Sequence, residues 1–205
     1  MIVTDRDGDR LRIMLYFDIG AGGTSAAEVA EAIAGNPDTR AVEVRINSYG
    51  GEVADGWAMY NALKSCGKQV TTYNDGFCCS AAVYPFLAGA KRVMHDTSAI
   101  FLHDCMGGCY GYADDLKRTA EELDKLTAIG INAFVESAGL DVAEVAAMMA
   151  AETWLDADTA LQKGICTKIA GSAPTGGTTQ DARSAVKNRL FGVAPKNKIR
   201  ALWGV

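Results

Sequence analysis

The sequence holds two histidines, His95 and His103, in 205 residues. Imidazole is the side chain whose ordinary pKa suits a general base near neutral pH, so these two positions are where acid–base chemistry is sought first. His95 follows a strand-like segment beside Asp96 and reads as a surface residue. His103 closes the apolar run Ala99-Ile100-Phe101-Leu102 and opens the glycine-rich stretch Gly107-Gly108-Cys109-Tyr110-Gly111. Strand ends are where sites collect in open α/β sheets, although a lone histidine there also serves structure alone. Ser80 lies in Gly76-Phe77-Cys78-Cys79-Ser80-Ala81-Ala82, at an expected turn-to-helix junction. A helix start carries unpaired N–H groups and a positive dipole end. A serine there can present its hydroxyl while the Ala81 N–H points at a developing oxyanion. This is the logic of a nucleophile elbow without the usual G-x-S-x-G letters; an N-cap serine reads the same locally. Gly50-Gly51, between a strand and a helix, lets backbone approach a ligand and expose N–H donors.

The elements that must position these groups alternate. Leu11–Phe17 reads as a strand, and Gly20-Ala21-Gly22-Gly23 as a turn. Thr24 or Ser25 caps a helix to about Ala34, which Gly35-Asn36-Pro37-Asp38 stops. Ala41–Ile46 alternates as a strand does, and Val53–Leu63 has helical spacing. Gln69–Tyr73 is a third strand, Asp75-Gly76 a turn, and Ser80–Ala88 a buried apolar helix. Lys91–Met94 and Ala99–His103 are short strands. A long amphipathic helix runs from Ala113 to about Ser137, and Asp141 caps a shorter one to Ala150. Asp158 is read as capping a last helix, ending at Gly164 before a strand over Ile165–Ile169. Such alternation predicts an α/β fold with parallel strands.

At about 150 residues per domain, the length fits one domain plus an appendage. The boundary is expected near residue 170. Residues 1–170 form the domain; 171–205 form a linker, Gly171-Ser172-Ala173-Pro174-Thr175-Gly176-Gly177-Thr178-Thr179, and a tail. The tail holds Arg183, Lys187, Arg189, Lys196, Lys198 and Arg200 against Asp181, a net charge of +5 within a chain of net −5. The remainder therefore carries −10, and an acidic body argues against general nucleic-acid binding. No apolar run is long enough to span a membrane. The acidic start does not resemble a signal peptide, so a soluble, intracellular protein is expected. The six cysteines show no C-x-x-C pair, and Cys105-x-x-x-Cys109 lacks a matching second half. The pattern therefore indicates reduced thiols rather than a zinc site, and no cofactor is called for.

Together these segments resemble the proteolytic subunit of the Clp protease, of the ClpP/crotonase superfamily. Ile46-Asn47-Ser48-Tyr49-Gly50-Gly51 is similar to that family's I-N-S-P-G-G loop. Gly76–Ala82 resembles its nucleophile segment, and Phe101-Leu102-His103-Asp104-Cys105-Met106-Gly107-Gly108 its M-I-H-x-P-x-G-G stretch. Glu152-Thr153-Trp154-Leu155-Asp156-Ala157, then Ala160 and Gly164-Ile165, resembles D-x-F/W-L-S-A…A…G-L. The motifs run in order from about residue 11 to 170. The resemblance implies a spiral of repeated β-β-α units with a long handle helix from Ala113, and a serine endopeptidase assembled as a homo-oligomeric ring. It implies Ser80 as nucleophile, His103 as base, Glu152 as third member, and Gly51 and Ala81 as oxyanion donors. Substrate is expected to lie as a strand between Gly50, Gly51 and Val53 on one side and Met106, Gly107 and Gly108 on the other. Tyr49 and Cys105 stand where the family has prolines, Cys78 and Cys79 where it has small residues, and Glu152 where it commonly has Asp. Asp156 and Asp158 remain alternatives to Glu152.

Ala151–Leu155 and Asn61-Ala62-Leu63-Lys64 are most similar to Clp-type head maturation (prohead) proteases of tailed phages and prophages. That likeness implies capsid or scaffold proteins as substrates, in the host cytoplasm or inside a procapsid. Rival readings are a housekeeping Clp-like peptidase working with an ATPase and a crotonase-type acyl-CoA enzyme. A Ser–Lys peptidase using Lys91 or Lys117, and a catalytically degenerate shell subunit, complete the set.

Overall fold

The computed structural model describes residues 2–170; the expected linker and basic tail lie outside the described residues. The chain opens with strands β1 (Val3–Asp7) and β2 (Arg10–Leu15), then helix α1 (Ala26–Ala34), strand β3 (Ala41–Ser48), helix α2 (Val53–Ser65) and strand β4 (Gln69–Cys79). A 3-10 turn (Ser80–Ala82) leads into helix α3 (Val83–Leu87), followed by strands β5 (Lys91–His95) and β6 (Ala99–Phe101). Helices α4 (Ala113–Ala138) and α5 (Val142–Ala150), strand β7 (Trp154–Leu155), helix α6 (Ala157–Gln162) and strand β8 (Lys168–Ala170) complete it.

The strands form one sheet in the order β1-β2-β3-β4-β5-β8, with β6 branching onto β4 and β7 onto β6. The pairs from β2 to β5 are parallel, as the alternation of elements requires. Antiparallel pairing occurs at β1–β2 and β6–β7. Leu11, Ile13 and Leu15 of β2 and Val42, Val44 and Ile46 of β3 point one way, into a core with Met59, Leu63, Phe86 and Phe134 from the helices. The intervening residues Arg12, Glu43 and Arg45 build a polar network on the other side, with Arg12 Nε 2.8 Å from Glu43 Oε1.

Several local expectations change. Asp75-Gly76 is not a turn; β4 runs through it. The Gly76 N–H bonds the Asn74 side chain and the Phe77 N–H bonds the Asn47 side chain. The β3–β4 register jumps from Ile46↔Asn74 to Ser48↔Cys78, so the bulge is absorbed within the strand. The helix expected over Ser80–Ala88 divides into a 3-10 turn and a short α3. Ser25, rather than Thr24, caps α1, in a capping box with Glu28. Asp156 caps α6 through the Thr159 N–H, in place of Asp158. The last strand is shorter than Ile165–Ile169, because the N–H groups of Ile165 and Cys166 both turn back to the Ala160 carbonyl. β1 and β7 have no strand signature: every residue of β1 is exposed, and β7 is two residues long. Among the described residues, no helix is long and apolar enough to cross a membrane.

Candidate active site

Ser80 sits where the end of β4 turns into the 3-10 segment. Its φ is +54°, a left-handed conformation that costs a non-glycine residue roughly 1–2 kcal/mol. The strained turn lifts the hydroxyl off the strand end. His103 follows β6, which pairs with β4 through Cys79↔Phe101. The two strand ends are thus adjacent, and His103 Nε2 lies 2.7 Å from Ser80 Oγ. On the opposite side of the ring, Nδ1 is 2.6 Å from the main-chain carbonyl oxygen of Asp104. A carbonyl only accepts, so Nδ1 carries the proton and Nε2 is left as the acceptor for the serine O–H. The sequence reading missed this contact, because a main-chain acceptor leaves no signature in residue types.

Burial lowers the His103 pKa below the ordinary histidine value. The Asp104 hydrogen bond and the charges of Glu152 and Asp104 oppose that shift. Of the three carboxylates weighed as third member, Glu152 bears on the ring through its charge. Asp156 is engaged at the α6 cap, 2.8 Å from the Thr159 N. Asp158 lies in the first turn of α6, and its charge acts on Cys166. Glu152 is also left-handed, with φ +51°, in the turn between α5 and β7.

The glycine loop lies against the serine. Ile19 N–H donates to the Gly50 carbonyl (2.8 Å) and Glu52 N–H donates to the Ile19 carbonyl (3.0 Å). In this parallel bridge the groups flanking Gly51 face Ile19, so the Gly51 N–H is turned to the other edge. A Cβ at Gly51 would sit 2.1 Å from the Ile19 carbonyl oxygen, so only glycine fits there. The Ala81 N–H belongs to the first turn of the 3-10 segment, whose leading N–H groups have no partner within the turn.

A cavity of about 460 Å³ opens beside this group. Gly51, Val53, Ser80, Ala81, His103 and Met106 line one side, and Tyr84, Leu126, Phe134 and Met149 form an apolar wall. Gly50 lies behind the serine rather than on the wall. Gly107 and Gly108 continue the Met106 segment outside the cavity, with Gly107 beside Leu123. The wall residues come from α3, α4 and α5, and nothing in their spacing distinguishes them from ordinary core.

The other candidates lie elsewhere. His95 is 3.3 Å from Asp75, a carboxylate also held by Arg45 and Tyr16. Neither Lys91 nor Lys117 lines the cavity, and Lys117 pairs with Asp114. Burial pushes the thiols of Cys78 and Cys79 well up, away from thiolate nucleophiles.

A mostly parallel α/β sheet thus sets a serine with left-handed backbone against a histidine, beside a glycine loop. The chain belongs to the Clp protease family, whose model matches residues 22–173. It is similar to ATP-dependent Clp protease proteolytic subunits from two strains of Bacteroides fragilis. Each is 29% identical over 130 residues, covering 62% of this chain and 63% or 59% of the relative. The chain thus spans about three fifths of the length of the curated relatives it matches. A solved mutant of ClpP1 from Listeria monocytogenes superposes with a TM-score of 0.69 at 19% identity, over 78% of this chain and 91% of that one. The α/β fold is therefore that of ClpP.

Proposed function

We propose that this chain is a serine endopeptidase using Ser80, His103 and Glu152. The observation that carries this is the 2.7 Å approach of His103 Nε2 to Ser80 Oγ at a strained strand-to-helix turn. Ser80 Oγ attacks the scissile carbonyl while Nε2 takes its proton. The tetrahedral oxyanion is met by the N–H groups of Gly51 and Ala81; a donor of this kind contributes about 3–4 kcal/mol in other proteases. The imidazolium, held through Nδ1–H by the Asp104 carbonyl and supported by the Glu152 charge, returns its proton to the leaving amine. Water then repeats the sequence on the acyl-enzyme. Substrate lies as an added strand between the Gly51-Glu52-Val53 edge and the Met106-Gly107-Gly108 edge, so recognition reads mainly main chain. The apolar wall of the cavity takes an apolar side chain next to the scissile bond.

The test is a fluorophosphonate probe read by intact mass, with Ser80→Ala and His103→Ala in parallel. A single adduct lost in both variants supports the assignment. Labelling that survives Ser80→Ala overturns it.

The finer reading is processing of capsid or scaffold proteins during phage head maturation, in the host cytoplasm or inside a procapsid. It is supported by the likeness of Ala151–Leu155 and Asn61–Lys64 to prohead proteases. A second reading, a housekeeping subunit working with an ATPase, is favoured by the names of the curated relatives. Cleavage of a capsid precursor without nucleotide supports the first; ATP-dependent stimulation by a host unfoldase supports the second. Under either, copies of the chain assemble into rings, and the handle helix α4, whose first half is largely exposed, joins one ring to another. A monomeric mass by light scattering would refute the ring.

A further inference from the structure

The His103 ring is bonded at Nε2 to Ser80 and at Nδ1 to the Asp104 carbonyl, and it also has lateral support. Asp104 sits in a coil between Leu102 and Tyr112 that belongs to no strand or helix. The support comes from β6. Residues i and i+2 of an extended strand share a face, and the His103 ring stacks on that of Phe101, with centroids 5.6 Å apart and planes at 28°. Phe101 is 1% exposed. Directly opposite it in the antiparallel β6–β7 pair is Trp154, its ring 4.6 Å from that of Phe101. Directly opposite residues on one face are the pairs that interact across antiparallel strands. The row continues from Trp154 to Phe77 on β4, at 6.1 Å and edge-on. It ends at Tyr49, 5.6 Å from Phe77. Tyr49 immediately precedes Gly50-Gly51.

We infer that Phe101 and Trp154 are positioning residues for His103, the inner members of an aromatic row that ties the general base to the glycine loop carrying the oxyanion donor. The row does two things. It restricts rotation of the imidazole, so that Nε2 stays aimed at Ser80 Oγ. It also covers a face of the ring and excludes water, which favours the neutral base. Charges that face His103 include Asp104, on its own segment, and Glu152, on the turn before β7. Both favour the protonated form, and the aromatic cover opposes them. Tyr49 stands where the resembled family has a proline, so aromatic packing takes over the stiffening of that loop.

This inference rests on the reading of His103 as the base, and the experiment separates the two. The full chain is labelled with a fluorophosphonate, and the rate is followed across the neutral and mildly acidic range. Phe101→Met and Trp154→Met keep most of the apolar volume but remove a ring. Trp154→Phe keeps a ring. The Met variants are expected to label about tenfold more slowly, as a misplaced reacting group does. Trp154→Phe should label within about threefold of the parent. With two histidines in the chain, the imidazole NMR signals assign with His95→Gln alone. In the unsubstituted protein the His103 ring protons should carry the shift of a stacked ring, a readout that leaves the aromatic row intact.

Met variants that label at the parent rate would overturn the inference. So would His103 ring protons at unstacked positions. Parent-rate labelling in His103→Ala would instead sink the base assignment itself.

Discussion

The backbone of Gly50 runs directly behind Ser80: a Cβ at position 50 would lie 2.6 Å from the Ser80 Cβ and 2.6 Å from the Cys79 carbonyl oxygen. With φ at +99°, Gly50 is also in a conformation that side chains rarely adopt. The loop and the nucleophile therefore share one packing contact. Gly50→Ala is expected to cost about 1–3 kcal/mol of stability and to cut fluorophosphonate labelling by at least about tenfold. A thermal melt and the labelling rate check the two together.

The left-handed backbone of Ser80 gives a second expectation. Ser80→Ala and Ser80→Gly both remove the nucleophile, so turnover should fall by about 10⁴-fold or more in each. Their stabilities should differ. Glycine tolerates this φ and alanine does not, so Ser80→Gly should be the more stable by about 1 kcal/mol. Urea denaturation of the two inactive variants decides it; equal midpoints would argue against strain at the turn.

The pH dependence follows from His103. Its pKa is lowered by burial, so the neutral base persists as pH falls through about 6.5, the ordinary histidine value. The acid limb of kcat/KM on a peptide substrate should lie below that value. Between the lowered pKa and the ordinary one, the unfolded chain binds a proton that the folded chain does not. Stability from this group is thus full above the unfolded pKa and declines as pH drops through that window. Glu152→Gln removes a charge that holds the pKa up, so the acid limb should move further down while the plateau falls at least about tenfold. Asp156→Asn should leave the rate alone and at most weaken the α6 cap slightly, since Asn also caps well.

Arg92 offers a control in which structure and activity separate. Its guanidinium is buried and donates to three carbonyls, those of Gly89, Gly164 and Ile165, at 2.8–2.9 Å. Arg92→Ala leaves these acceptors without their partner, at about 1–3 kcal/mol for a buried group of this kind. The chemical midpoint should drop markedly, while labelling of Ser80 in the remaining folded protein stays near the parent rate.

The residue types and their order carried much of this. A scarce histidine after an apolar strand, a serine among small residues at a helix start and a glycine pair after a strand are local features. Ser80, His103 and Gly51 were candidates for that reason, and the ordered likeness to the Clp motifs raised them above a cap serine, a structural histidine and an ordinary turn. The alternation of strand and helix periods likewise determined a mostly parallel α/β fold, because period and spacing are properties of the chain itself. What tertiary structure decided is everything that depends on which strand lies beside which. β6 branching onto β4 brings His103 to Ser80 across 23 positions. β7, two residues long and without a strand signature, sets Trp154 against Phe101 and brings the Glu152 charge to bear on His103. The Asp104 carbonyl, which selects the imidazole tautomer, is a main-chain atom present at every position. The Asp75-Gly76 pair, read as a turn, continues as strand because Asn47 and Asn74 satisfy the bulged N–H groups. Turn letters state a local preference, and side-chain partners from β3 and β4 outweigh it.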